Sequence, residues 1–149
     1  MQGNAYLLLG VETSQDLKSI EFSGADSFSL SHKDITTGSS YILVPIMAGH
    51  YNIDKIRLNS YARVELKEEY WQFEAKPNAI NYAGNLELLR RGFYFAPRTE
   101  LVLKNKASDA LKYIHESFPQ LNERIPIVYS GPGEDDFFDI VRGIKSNAN

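Results

Sequence analysis

The segment from residue 79 to residue 88 constrains the fold of this chain more than any other. Apolar and polar side chains alternate along it: Ile80, Tyr82, Leu86 and Leu88 against Asn81, Asn85 and Glu87. Because successive side chains of a strand point to opposite faces of a sheet, this period of two predicts a strand with one buried and one polar face. The segment describes a scaffold and carries no sign of a reaction.

Further short strands are predicted along most of residues 5–103. Apolar stretches bounded by turn residues recur at 6–11, 19–22, 27–30, 41–47, 51–53, 62–66, 71–73, 93–95 and 101–103. Pro45 cannot donate to a β-ladder, so its strand is expected at an edge or a bulge. Strands at this spacing indicate an antiparallel β-sandwich or a partly open barrel.

The pattern becomes helical near residue 105. One predicted helix has an apolar face of Ala107, Leu111, Ile114 and Phe118, and Pro119 is expected to end it. A second is predicted after residue 133, with a stripe of Phe137, Ile140, Val141 and Ile144. We therefore expect a mainly β protein with a β-sandwich over residues 1–104. A helical extension over residues 105–149 is expected to pack on the same domain.

Charge and cysteine content exclude several classes of function. Sixteen basic and nineteen acidic residues give a net charge of −3, whereas a general nucleic-acid binder needs a basic face. No nucleic-acid partner is therefore expected. The chain has no cysteine, so it has no disulfide, thiol nucleophile or thiolate metal site.

Two motifs resemble a family of uncharacterised bacterial cell-envelope lipoproteins. The first reads Ala48-Gly49-x-Tyr51-x-Ile53, and the second reads Ile80-Asn81-Tyr82-x-Gly84-Asn85-Leu86-x-Leu88. The resemblance implies a prealbumin- or Ig-like β-sandwich, export, and a lipid anchor on an N-terminal cysteine. It implies no catalytic residue.

This resemblance places the protein in the periplasm or on the outer membrane, with contact to the membrane only through the anchor. Because the sequence lacks cysteine, we expect the signal and the anchor cysteine to have been removed and Met1 to be an added start. A cytoplasmic location is the alternative. Within the motifs, Gly49 is expected at a turn with positive φ, and Gly84 at a bulge or a close approach. Tyr51 and Tyr82 are expected to pack their rings inward.

No cofactor or metal site is predicted. His32, His50 and His115 lie far apart in the sequence and show no metal-ligand spacing. The loop 130–133 precedes an acidic cluster of Glu134, Asp135, Asp136 and Asp139. Negative charge at a helix N-terminus favours capping over phosphate binding, and the calcium alternative lacks the EF-hand order.

Arg90, Arg91, Tyr94 and Arg98 form the one candidate partner or ligand surface. Basic residues among aromatic ones on a sheet can bind single-stranded nucleic acid, and an anionic glycan or lipid headgroup is an equal alternative. The competing interpretation, favoured by the acidic charge balance, is that the arginines keep a turn soluble while the phenylalanines between them face the core.

Two functions remain open at this point. The first is a non-enzymatic module of the cell envelope that binds a protein or a cell-wall component, motivated by the strand pattern and the resemblance. The second is a small-ligand carrier or enzyme with a site between the sheet and the C-terminal helices, since a Gly-Pro-Gly loop there suits the rim of a pocket.

Overall fold

The computed structural model describes residues 4–14, 17–31, 35, 38–58, 63–66, 71–93, 96–133 and 135–141; for 89–93 and 96–100 it describes the backbone alone. These residues form ten strands and three short helices, so the protein is mainly β, as predicted. The strands are β1 (Asn4–Thr13), β2 (Ser19–Gly24), β3 (Phe28–Ser31), β4 (Gly38–Met47), β5 (Gly49–Arg57), β6 (Arg63–Glu65), β7 (Gln72–Ala75), β8 (Ile80–Phe93), β9 (Ala96–Lys104) and β10 (Ile127–Tyr129). The helices are α1 (Ala107–Ser117), α2 (Pro119–Arg124) and α3 (Phe137–Val141).

The strands form two sheets. In the first sheet β1 lies between β8 and β4, and β8 also pairs with β10 near its start and with β9 along the rest of its length. In the second sheet β2 lies between β3 and β5, and β5 also pairs with β6 and β7. The chain passes from the first sheet to the second at Ala48, where Gly49 has the predicted positive φ, of +141°.

The prediction of a wholly antiparallel sandwich is wrong for the first sheet. Both β1 and β10 run parallel to β8, whereas the other strand pairs are antiparallel. Parallel neighbours need a long connection, and here the chain between β1 and β8 builds the whole second sheet. Alternation of side chains is the same in both kinds of pairing, so the pattern does not reveal the direction.

Strand β4 forms an edge of the first sheet in the part of the chain that is described, as Pro45 predicted. Pro45 stands opposite Tyr6, whose N–H donates to the carbonyl oxygen of Ala79. The backbone of Tyr6 therefore points toward β8 and away from β4. The nitrogen of Pro45 consequently faces the outer edge, where its missing proton costs no hydrogen bond within the sheet.

Two apolar cores cover the two faces of the first sheet. The inner core joins side chains of both sheets, which gives a sandwich-like arrangement; its members include Leu7, Leu9, Leu86, Ile20, Phe22 and Ile53. The outer core joins the other face of the first sheet to α1, α3 and β10; its members are Leu8, Ile80, Tyr82, Ala107, Ala110, Ile114, Ile127 and Phe138. The C-terminal third of the chain thus contributes a strand to the sheet and a cover to its outer face.

The C-terminal helices differ in detail from the prediction. Pro119 ends α1 but also begins α2, a helix that the pattern does not predict, because the fixed φ of proline suits the first helical position. In α3 the buried side chain is Phe138, whereas Val141 of the predicted stripe is 51% exposed and Ile144 lies outside the described residues. Among the described helices none has the length and apolar character needed to cross a membrane.

Candidate ligand-binding cleft

A bulge in β8 decides which of its side chains reach the outer face of the first sheet. The register with β1 pairs Leu8 with Tyr82 and then Leu9 with Gly84, so Ala83 is the extra residue. Gly84 has a φ of +119°, a conformation that only glycine adopts at low cost. This confirms the bulge predicted at Gly84.

The prediction of a polar, solvent-facing side for residues 79–88 is wrong. Every residue from 80 to 88 is buried, because sheet and helices cover both faces. The apolar stripe also divides: Ile80 and Tyr82 lie in the outer core, whereas Leu86 and Leu88 lie in the inner core. Beyond the bulge the alternation shifts by one residue, so Asn85 joins Tyr82 on the outer face.

Asn81 serves the structure of the sheet. Its side chain is fully buried, and its Oδ1 accepts the backbone N–H of Lys76 at 2.8 Å and the hydroxyl of Ser130 at 3.1 Å. Its Nδ2 donates to the carbonyl oxygen of Tyr6 at 3.1 Å. Asn81 thus joins the turn before β8 to β1 and to the loop 130–133.

A chain of hydrogen bonds runs across the outer face and has a fixed direction. The backbone N–H of Lys106 can only donate, and it donates to the hydroxyl oxygen of Tyr82 at 2.8 Å. The Tyr82 proton is donated to Oδ1 of Asn85, so Nδ2 of Asn85 donates to the hydroxyl oxygen of Tyr41 at 3.1 Å. The hydroxyl oxygen of Tyr41 therefore accepts a hydrogen bond from Asn85. Its own proton remains available for an acceptor that is not part of this chain of hydrogen bonds.

Close packing holds Asn85 in this position. A Cβ atom at Gly10, its neighbour on β1, would lie 2.4 Å from Cγ of Asn85. Only glycine leaves room for the amide there. On the other side, the ring of Tyr41 stacks on that of Tyr113 of α1, with centroids 5.1 Å apart.

A buried carboxylate lies next to this chain of bonds. Glu87 is 5% exposed, and its two oxygens accept from Nζ of Lys104 at 3.0 Å and Nζ of Lys106 at 3.2 Å. Burial alone would raise the pKa of Glu87, but the hydrogen bonds from the two lysines outweigh it and hold the pKa below its ordinary value. The pair of lysines thereby fixes the connection between β9 and α1 to β8.

The open end of the hydrogen-bond chain lies in a small cleft between β4 and the start of α1. The cleft has a volume of about 180 Å³ and is lined by Ser39, Ser40, Tyr41, Asn85, Lys106 and Asp109. Ser39 donates its hydroxyl proton to Oε1 of Glu12 at 3.0 Å. We name this feature the Tyr41 cleft.

Both phenols of the hydrogen-bond chain stay protonated at neutral pH. Burial raises the pKa of Tyr41 and of Tyr82 above the ordinary value of 10.0, and this effect exceeds that of their hydrogen bonds. A neutral phenol donates a hydrogen bond but is neither a base nor a strong nucleophile. The cleft is therefore suited to binding a ligand oxygen.

Larger depressions lie elsewhere on the described surface. In one of them, of about 550 Å³ and lined by Lys76, Asp135 and Asp136 near the loop 130–133, Asp135 serves the structure. There Oδ1 of Asp135 accepts the backbone N–H of Phe137 at the start of α3, which confirms the predicted capping by the acidic cluster. Its Oδ2 accepts from Nδ2 of Asn105 at 2.6 Å, so both oxygens of this carboxylate are used.

The predicted arginine surface is only partly within the described residues. The register of β8 and β9 pairs Arg91 with Arg98 and Arg90 with Thr99, so the backbones of the three arginines are close. Tyr94 lies outside the described residues. The binding role of this surface stays a prediction.

The histidines do not come together in the described chain. His50 is exposed at the start of β5 and His115 is exposed on α1, whereas His32 lies outside the described residues. Across the same described ranges, no group of three or more histidines and carboxylates could hold a metal ion.

Sequence reasoning misses the residues of the Tyr41 cleft. The strand pattern places Tyr41 only in an apolar strand, and Lys106 and Asp109 belong to no motif. The sequence offers one signal for this region. Glu87 lies within an apolar strand, and a buried glutamate needs basic partners, which Lys104 and Lys106 before the helix can supply.

Comparisons of the chain with family models, with curated proteins and with solved structures find no match.

Proposed function

We propose that the protein is a non-enzymatic binding module of the bacterial cell envelope, and that it holds a hydroxyl-bearing cell-wall component in the Tyr41 cleft. One observation carries this proposal. The directed hydrogen bonds from Lys106 through Tyr82 and Asn85 leave Tyr41 as a donor at the wall of the cleft.

The other groups around the cleft define the ligand chemistry. The carboxylate of Asp109 offers an acceptor beside the Tyr41 donor. The negative charges of Glu12 and Asp109 oppose an anionic ligand, while the nearby ammonium group of Lys106 is already bound to Glu87. A ligand whose hydroxyl groups both donate and accept fits this arrangement, as a sugar does.

The volume of the cleft limits the size of the bound group. At about 30 Å³ per water molecule, 180 Å³ corresponds to roughly six waters. This space suits one sugar unit or one end of a glycan chain. The aromatic pair of Tyr41 and Tyr113 adds an apolar wall for a sugar ring.

The prealbumin-type sandwich and the envelope location belong to the same proposal. The location rests on the resemblance of the two motifs. Support for the sandwich comes from the two sheets that share one core and from the structural positions of the motif residues. Gly49 begins β5 after the change of sheet, Gly84 forms the bulge, and the Tyr51 hydroxyl donates to the carbonyl oxygen of Met47 at 2.7 Å.

The test of the ligand is a titration followed by amide NMR spectra, with N-acetylglucosamine and chito-oligosaccharides as probes. We expect shifts centred on Tyr41, Lys106 and Asp109. Tyr41→Phe keeps the ring but removes the donor, and we expect it to weaken binding at least tenfold. Tyr113→Phe is the matched control and should bind as the wild type does. An absence of shifts at about 10 mM probe, a concentration well above the millimolar Kd of even a weak specific complex, would refute the ligand class.

The test of the location is fractionation of the product expressed from its native start, with mass spectrometry of the N-terminal peptide. An acylated cysteine in the membrane fraction is expected. An unmodified N-terminus in the cytosol would remove the envelope part of the proposal.

The position of the cleft between β4 and α1 favours a second candidate, a carrier or enzyme for a small ligand. A carrier purified under native conditions retains its ligand, so native mass spectrometry would detect an added mass that Tyr41→Phe loses. An enzyme would release an altered ligand. A mass equal to that of the bare chain would argue against the carrier.

A further inference from the structure

Strand β4 presents open backbone groups along the outer edge of the first sheet. Because residues of one strand alternate in the direction of their N–H and C=O groups, those of Ser39, Tyr41 and Leu43 point outward, as the nitrogen of Pro45 does. No described strand pairs with this side of β4. Three consecutive outward positions therefore have no backbone partner among the described residues before the proline interrupts the row.

This edge lacks the usual protection against pairing by charge. The ten residues Gly38–Met47 include no charged side chain. Edge strands of monomeric proteins are commonly guarded by lysine, by proline or by bulges. Here Pro45 guards only the second half of the strand.

We propose that two copies of this chain pair antiparallel through β4, with the two-fold axis at Tyr41. The hydrogen-bonded pairs are then Tyr41 with Tyr41 of the second copy, and Ser39 with Leu43 of the second copy, twice. Each such pair exchanges two bonds, which gives about six hydrogen bonds across the interface. The first sheet becomes continuous through both copies.

Pro45 disfavours the register with the axis at Leu43, and the absence of charged side chains in β4 favours a second copy as the occupant. With the axis at Tyr41, Pro45 falls opposite residue 37, beyond the start of β4. With the axis at Leu43, Pro45 would stand opposite Tyr41, and each half would lose a ladder bond. An isologous interface places like residues near each other, and β4 itself has no charged side chain that would repel its copy.

The dimer is expected to be reversible. A strand-to-strand contact alone buries less than the roughly 1,200 Å² of a stable interface. Dimerisation through β4 does not require a sugar ligand, but it changes how such a ligand can bind. Because Tyr41 lies at the axis and lines the cleft, two clefts come side by side and can engage one glycan chain bivalently.

The test is analytical ultracentrifugation of the chain over a concentration series up to about 1 mM. We expect a monomer–dimer equilibrium that Ser39→Pro weakens at least tenfold, because proline removes the outward N–H at both ends of the pairing. Ser39→Ala is the matched control, since it keeps the N–H and should dimerise as the wild type does. A wild type that stays monomeric throughout the series, or equal dimerisation of the two variants, would overturn the proposal.

A second measurement avoids substitution altogether. Hydrogen exchange of the wild type should show amides of Tyr41 and Leu43 that become at least tenfold slower at the concentration where the dimer forms. The inward amide of Ile42 should not change with concentration. Equal rates for Tyr41 and Leu43 at both concentrations would place the interface elsewhere and refute β4 pairing.

Discussion

The hydroxyl of Tyr82 donates a hydrogen bond to Oδ1 of Asn85, three residues further along the same strand. In an unbroken strand, side chains three residues apart lie on opposite faces of the sheet. The extra residue Ala83 and the positive φ of Gly84 bring the two side chains to the same face. The polar chemistry of the outer face therefore depends on the bulge.

Replacing Tyr82 by phenylalanine should destabilise the protein strongly. The change leaves two groups without their partner, the part-buried backbone N–H of Lys106 and the buried Oδ1 of Asn85. At about 1–3 kcal/mol for each unsatisfied group, we expect a loss of about 2–4 kcal/mol in the free energy of unfolding, measured by urea denaturation.

Tyr51→Phe is the matched control for that variant. Tyr51 is as deeply buried as Tyr82 but donates only to the carbonyl oxygen of Met47. Its loss should cost about 1 kcal/mol. Equal costs for the two variants would contradict the structural role assigned to the chain through Tyr82.

Alanine at position 84 should separate backbone strain from crowding. The alanine would have to adopt a φ of +119°. Its Cβ would lie 2.9 Å from Cδ1 of Leu103 and 3.2 Å from the carbonyl oxygen of Lys104. Gly38 has a similar φ of +108°, but no atom of the described residues lies within 4 Å of its Cβ position. We expect Gly38→Ala to cost about 1–2 kcal/mol from strain alone and Gly84→Ala to cost more, by urea denaturation. A larger cost for Gly38→Ala would contradict the crowding at the bulge.

The strands were predictable because their alternation is a local property of the sequence. The edge position of β4 followed from Pro45, and the bulge followed from Gly84. The face of the sheet on which each β8 side chain lies did not follow from the sequence. Ala83 and Gly84 are small, so the apolar side chains keep their period of two across the bulge and do not indicate the shift. Strand β1 pairs in parallel with β8 through residues about 75 positions apart. The alternation within each strand is local and does not indicate which distant strand it pairs with or in which direction.

The Tyr41 cleft was not predictable for a related reason. Tyr41 comes from an edge strand, Asn85 from beyond the bulge, and Asp109 from the first turn of α1. Each has an ordinary place in its own element. Only the covering of the outer face by α1 brings them together, and no spacing in the sequence indicates that contact.

Aspartate at position 81 should destabilise the fold although it has the shape of asparagine. Nδ2 of Asn81 donates to the carbonyl oxygens of Tyr6, Lys76 and Ala79. A carboxylate oxygen in its place would face three acceptors in a fully buried position. We expect a loss of more than about 3 kcal/mol in the free energy of unfolding. Ser130→Ala, which removes one donor to Oδ1, should cost only about 1 kcal/mol, and a comparable loss for both would refute this account.

Glu87 should make stability depend on acid pH. Because Lys104 and Lys106 hold its pKa in the folded state below the ordinary value of 4.5, the unfolded chain binds a proton more readily than the folded one. The stabilisation is therefore complete above about pH 5 and is lost as the pH falls through the folded pKa. Glu87→Gln should be less stable than the wild type at pH 7, and the difference should narrow between about pH 5 and pH 3 in urea denaturation. A constant gap between Glu87→Gln and the wild type across this pH range would contradict the paired carboxylate.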